Sequence, residues 1–212
     1  MSSEHYKASP RRKTYPRCSA HIRRFHLPVT VLDPKTALIL IDLQNGIVGL
    51  PAAHPIADIL QHAAALAEAF RRHHLPVVLV NVAGGASSRT DQPRRMTEFP
   101  AGWTDFVPEL NQQPSDHTVT KRTWGAFTNT SLDGYLKDLG ITQVVIAGVA
   151  TSIGVESTAR QAQELGFHVT LAVDAMTDMR REAHDYSIAH IFPRLGESGT
   201  TREIIDLLGK RN

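Results

Sequence analysis

Two hydrophobic rhythms alternate along this chain. Residues 36–42 read TALILID, a continuous apolar run closed by an acid. A short run of this kind predicts a strand buried on both faces. Residues 55–74 switch to a spacing of three and four. Ile56, Ile59, Leu60, Ala63, Leu66, Ala67 and Phe70 fall on one stripe, and the last turn is basic. That spacing predicts an amphipathic helix whose end suits the helix dipole. PVVLVNV at 76–82 predicts a second strand and HTVTK at 117–121 a third. SLDGYLKDLG at 131–140 reads as a helix stopped by a glycine. TQVVIAG at 142–148 is again a buried strand. Residues 152–165 form a helix running into Gly166, and FHVTLAV at 167–173 is a further strand. REAHDYSIAHIF at 181–192 and TREIIDLLGK at 201–210 close the chain as helices.

Continuous apolar strands separated by helices need cover on both faces. With right-handed crossovers the expected fold is α/β. It is a three-layer α/β/α sandwich with a mostly parallel central sheet, doubly wound in a Rossmann-like manner. The 212 residues fit one medium domain. The expected organisation is a basic, disordered N-terminal tail over 1–28 and a single folded domain over 29–212. The stretch from about 83 to 115 is rich in Pro, Gly, Ser and Arg. A loop of that length predicts a binding loop or lid.

Charge changes the picture at one end. The formal net charge is +2, yet residues 1–24 hold seven Lys and Arg against Glu4, so the remainder is net acidic. The segment lacks apolar periodicity and reads as a solvated tail. An acidic body without a recognisable reading module argues against a nucleic-acid partner. No apolar run is long enough to span a bilayer, and no signal-peptide core is evident. The expectation is a cytoplasmic protein with no membrane partner. The single cysteine, Cys18, lies in the tail. That excludes an intramolecular disulfide, a CxxC metal site and a thiol nucleophile in the folded body.

In open parallel sheets, ligands bind beyond the carboxyl ends of the strands. This rule selects Asp42 at the end of the first strand, Lys121 at the end of HTVTK, and the GVATSIG turn after QVVIA. Within that turn stands Gly154, although glycine costs a helix about 1 kcal/mol relative to alanine. Each feature has a plain structural alternative. Asp42 serves as well to cap the DLQNG turn, Lys121 as a solvated strand end, and Gly154 as a point of close packing. Their placement at one end of the sheet favours a shared site.

LILIDLQNGIV, KRTWGAF and GVATSIGVESTARQAQELGFHVTLAVDA resemble the three signature segments of the isochorismatase-like hydrolase superfamily, also called the cysteine hydrolase family. AHDYSIAHIFPRLG resembles the segment that comes after them in many members, and the likeness spans roughly residues 30–208. The resemblance implies a hydrolase with a catalytic Asp, Lys and Cys, which fall here at Asp42, Lys121 and Gly154. Amidohydrolase members attack amides with that thiolate, activated at a helix N-terminus. Glycine offers no nucleophile, and Thr151 and Ser152 read as helix caps. Isochorismatases proper also lack the cysteine and hydrolyse a vinyl ether, which needs a proton delivered to carbon. An Asp can serve as general acid and a Lys can stabilise negative charge. Ala150 and Ser152 stand where those enzymes carry an aromatic and a histidine, so isochorismate itself is not the expected substrate.

The resemblance further implies a cis peptide between Val149 and Ala150, with the turn supplying backbone donors to a ligand. It places Trp124 and Phe127 beside the substrate, core packing being the alternative for each. Asn45, or Gln44, is expected to orient Asp42 or to serve turn chemistry. Arg89 in the long loop is a candidate anion contact. Nicotinamidase-like members hold a metal through an Asp-x-His and a later His. His54 and Asp58 lack that spacing, so neither a metal nor another cofactor is expected. The expected activity is hydrolysis of a small, anionic substrate by an Asp/Lys pair without covalent thiol catalysis. The alternatives are a catalytically silent binding member and a cysteine hydrolase whose nucleophile is replaced. A homo-oligomer, dimer or tetramer, is the expected assembly.

Overall fold

A computed structural model describes residues 29–85, 89–91 and 99–210. The basic segment 1–28, with Cys18, and parts of the long loop lie outside the described residues. Six strands form the sheet: β1 (Thr36–Ile41), β2 (Val77–Val82), β3 (His117–Lys121), β4 (Gln143–Val149), β5 (His168–Thr177) and β6 (Glu197–Gly199). Their order is β3-β2-β1-β4-β5-β6, and every neighbouring pair is parallel. The order reverses between β1 and β4, which opens a crevice at their carboxyl ends.

Helices cover both faces, completing three layers. On one side pack α2 (Ile56–Arg72) and α6 (Thr201–Leu208), through residues such as Leu66, Phe70 and Ile204. On the other pack α3 (Leu132–Asp138) and α4 (Glu156–Glu164), through Leu136, Ala159 and Ala162. β1 alternates between them: Leu38 and Leu40 face α2, while Ile39 and Ile41 face α4. That double burial is why the strand shows no polar alternation. The shorter helices are α1 (Asn45–Val48) and α5 (Arg181–Tyr186). Among the described residues, no helix is long and apolar enough to cross a membrane.

Several elements depart from the sequence pattern, three of them around β5 and the chain that follows it. β5 runs on past Val173 to Thr177, through a register shift opposite Ile146 and Gly148. β6 is a three-residue edge strand, ESG, too short and polar to carry a hydrophobic signal. The helix expected over 181–192 divides into α5, a π-helical turn over Ser187–Ile191 and a 3-10 turn over Phe192–Arg194, where Pro193 stops the helix.

Gly148 sets how closely the two central strands meet at the crevice. Its φ is +119°, and a Cβ there would come 2.1 Å from the Ile41 carbonyl oxygen. Only a residue without a side chain lets β4 approach the last residue of β1 this closely. We expect Gly148→Ala to lower stability by about 3 kcal/mol or more, from backbone strain plus overpacking, as read by urea unfolding. A variant within about 0.5 kcal/mol of the parent would contradict this role for Gly148.

Candidate active site

β1 delivers Asp42 to the crevice. The Asp42 N–H donates to the Val80 carbonyl at 2.8 Å, extending the β1–β2 pairing by one residue. The chain then turns sharply, with Asp42 at φ +52°. This left-handed conformation is uncommon for a residue with a side chain, though Asp tolerates it best together with Asn. β3 delivers Lys121, the last inward residue of an alternating strand. β2 lies between the two, so their backbones are separated by roughly 10 Å, two strand spacings. The long lysine stem bridges that gap. Its Nζ donates to Asp42 Oδ2 at 2.8 Å and to the Thr123 carbonyl at 3.3 Å. The pair is enclosed: Lys121 is 2% exposed and Asp42 5%.

β4 delivers the third part. The Val149–Ala150 peptide is cis. The chain then makes a π-helical turn over Thr151–Val155, in which the Val155 N–H reaches back to the Ala150 carbonyl at 3.1 Å. Single π turns inside helices occur frequently at functional sites. Gly154 is buried in this turn. A Cβ built on it would stand 3.3 Å from Asp42 Oδ2 and 2.9 Å from Ile41 Cγ2. Gly154, Asp42 and Lys121 therefore meet at one point, brought together from three strand ends.

The surrounding contacts define the turn more firmly than its sequence suggests. Ser152 donates both its N–H and its hydroxyl to Asp178 Oδ2, each at 2.8 Å. Thr151 Oγ1 meets His184 Nδ1 at 2.8 Å. Thr151 and Ser152 thus tie the turn to β5 and α5 rather than capping a helix. The Ile153 N–H also stays within the protein, on the Ala150 carbonyl. Two of the expected ligand-facing donors, those of Ser152 and Ile153, are committed to structure. Thr158 donates to the Gly154 carbonyl at 2.7 Å and accepts the Ala126 N–H. Gln161 accepts the Phe127 N–H and donates to Thr128. Together they dock the segment after Lys121 onto α4.

The other expected site residues are dispersed. Phe127 lies in the core, its ring 6.0 Å from that of Phe167. Trp124 is 61% exposed, and its neighbour Gly125 packs directly against Gln161. Asn45 donates to the Gly102 carbonyl and its N–H to Asp105, so it fastens the long loop. Gln44 accepts the Val82 N–H and donates to the Val82 and Trp103 carbonyls, closing the end of β2. Arg89 is exposed. Among the described residues, no group of three or more His, Cys, Asp or Glu side chains could hold a metal ion.

Sequence pattern does not single out Asp178 or His184. Asp178 follows the unforeseen extension of β5, so the strand-end rule would have selected it had that strand been read to its full length. His184 sits on a helix whose pattern does not distinguish a buried imidazole from an exposed one.

The chain belongs to the isochorismatase family of hydrolases: the isochorismatase domain model matches residues 36–203. It is 44% identical over 179 residues to the uncharacterized isochorismatase family protein YwoC of Bacillus subtilis, covering 81% of this chain and 93% of that one. It is 28% identical over 178 residues to the ureidoacrylate amidohydrolase RutB of Pseudomonas syringae, covering 70% of this chain and 73% of that one. An isochorismatase family protein structure from Burkholderia thailandensis superposes with a TM-score of 0.82 at 41% identity, covering 85% of this chain and 98% of that one.

The buried imidazole has a consequence for pH. Burial first, and then the neighbouring His54, push the His184 pKa down to about 4; Asp185 and Asp178 pull it up, and Arg181 adds to the depression. The unfolded chain binds this proton near pH 6.5. The stability contribution is therefore complete above that value and is lost as pH falls towards 4. We expect a loss of roughly 3 kcal/mol across that window from this residue. Urea unfolding at a series of pH values should show a shallower acid limb in His184→Asn. Parallel limbs for the two proteins would contradict the assignment.

Proposed function

We propose that this chain hydrolyses a small, anionic substrate with Asp42 and Lys121 and without a covalent thiol intermediate. The observation that carries this reading is the position of Asp42 Oδ2, 3.3 Å from where a Cβ on Gly154 would stand. A substrate group brought against the Gly154 backbone would lie beside the Asp42 carboxyl, so Asp42 could exchange a proton with it directly.

A vinyl-ether substrate suits this arrangement. A protonated Asp42 gives its proton to the terminal alkene carbon, and the ether carbon becomes an oxocarbenium ion. Water adds to that carbon and returns its proton to Asp42. The resulting hemiketal collapses to a carbonyl compound and an alcohol. Lys121 supplies the cation that an anionic substrate requires, and the start of the helical segment adds a favourable dipole. A substrate anion that takes up the ammonium loosens its hold on Asp42, which can then carry the proton. No step needs a nucleophile at position 154.

The replaced-nucleophile alternative meets a packing objection. Ile41 is β-branched, completely buried, and already within 2.9 Å of a Cβ at 154. A cysteine there has to displace a stiff side chain in a packed layer. RutB is named for amide hydrolysis, but this chain holds no cysteine in its described residues.

The test is turnover of a panel of vinyl ethers, amides and esters that carry a carboxylate. We expect Asp42→Asn to lower kcat by about 10²–10⁴-fold with the fold retained by circular dichroism. Lys121→Met should chiefly raise KM, and Gly154→Cys should gain no amidase activity. Undiminished turnover in Asp42→Asn refutes the mechanism. Ligand binding without turnover of any panel member supports the silent binding alternative. We also propose a homo-oligomer that covers the exposed side chains of Trp124, Met179 and Tyr186. Light scattering at the monomer mass would refute it.

A further inference from the structure

Three segments at the carboxyl edge of the sheet meet in a cluster that the proposed chemistry does not use. The loop after α1 brings His54, the end of β5 brings Thr177 and Asp178, and α5 brings His184. The rings of His54 and His184 pack edge to face with centroids 4.5 Å apart. We propose that His184 is a positioning residue. Through Thr151 it fixes the turn that presents Gly154 to Asp42, and His54 holds its ring from the segment that comes after Asp42.

The hydrogen bonds assign the state of His54. Arg181 approaches His54 Nε2 at 3.1 Å, and a guanidinium only donates. Nε2 is therefore the bare nitrogen, and the proton sits on Nδ1, which donates to Thr177 Oγ1 at 2.9 Å. The backbone secures the same loop: the Ala53 N–H donates to the Asp178 carbonyl at 2.7 Å and the His54 N–H to Thr177 Oγ1 at 3.3 Å. Arg181 also donates to the Ala53 carbonyl at 3.0 Å. His54 is thus a fixed, neutral wall for the His184 ring.

His184 is 6% exposed and Thr151 is fully buried. An apolar side chain would fill this space at less desolvation cost than an imidazole. What the imidazole adds is the 2.8 Å hydrogen bond to Thr151. That bond acts next to the cis peptide and three residues from Gly154. The turn is then held at three nearby points: Thr151 by His184, Ser152 by Asp178, and the Gly154 carbonyl by Thr158. The segment after α5 is tied back as well, because Ser187 Oγ donates to Glu156 Oε2 at 2.6 Å on α4. The charged and titratable groups around His184 are His54, Asp178, Arg181 and Asp185. A proton on His184 would lie beside Arg181, so the positioning state is the neutral one.

The inference rests on the Asp42–Lys121 site proposed for this chain, but its test needs no substrate. Amide hydrogen exchange and ¹⁵N–¹H spectra are recorded for the parent, Thr151→Val, His184→Leu, His184→Asn and the Thr151→Val/His184→Leu double variant. We expect Thr151→Val and His184→Leu each to raise exchange at residues 151–155 about tenfold beyond any change in β1, and the double variant to add little more. His184→Asn, which keeps a polar atom near the Nδ1 position, should recover most of the protection. In the parent, the Ser152 and Gly154 amide signals should move with a midpoint well below an ordinary histidine, and His184→Asn should abolish that movement. Exchange that rises evenly over the whole chain, or additive effects in the double variant, would assign His184 to simple packing and overturn the proposal. Turnover decides the Asp42–Lys121 mechanism separately, so either idea can fail alone.

Discussion

The structure depends on an ion pair that joins two strands separated by a third. Asp42 and Lys121 come from β1 and β3, which are not neighbours, and β2 fills the space between them. Two charges this well enclosed lose most of their hydration, and their attraction repays that loss only when the geometry is good. The geometry is supplied from three directions. Asp42 leaves β1 in a left-handed conformation, the end of β2 is braced by Gln44, and the Lys121 carbonyl accepts the Ala83 N–H. The pair is therefore poor evidence for stability and good evidence that the carboxyl ends of β1, β2 and β3 are held in a fixed relation.

Two absent side chains complete the arrangement. Gly148 lets β4 press on the Ile41 backbone, and Gly154 lets the next turn press on the Ile41 side chain and the Asp42 carboxyl. Ile41 is the common neighbour of both. At position 154 the turn of backbone packs directly against the Ile41 side chain and the Asp42 carboxyl, with no room for a side chain between them. That close packing is one ground for the proposal that Asp42 acts by proton transfer and not by covalent capture at position 154.

Around that centre stands a second set of contacts from Asp178, His184, Thr158 and Gln161. They tie loops to one another and to α4 and α5. Asp178 shows the principle: its carboxylate holds the turn after β4, while its backbone carbonyl holds the loop before α2. Loops alone would leave the crevice loose, because connecting segments are the mobile part of such folds. Buried side-chain hydrogen bonds between loops make the crevice an extension of the sheet.

The sequence by itself determined the layers, most of the elements and the convergence of Asp42, Lys121 and Gly154. Continuous apolar strands and three-four helical spacing are local signals, and the strand-end rule converts their order into a place. The sequence could not tell whether Phe127 lines a pocket or fills the core, because an aromatic beside a strand end suits both. Its placement against Phe167 is a matter of packing. Nor could it reveal Asp178 or His184. The extension of β5 depends on a register shift against β4, and the burial of His184 depends on a loop more than a hundred residues earlier. Local pattern fixes what most segments become. Only the tertiary structure decides which polar side chains from distant loops share one enclosed space, because burial and hydrogen bonding belong to the assembled layers and not to any stretch of chain.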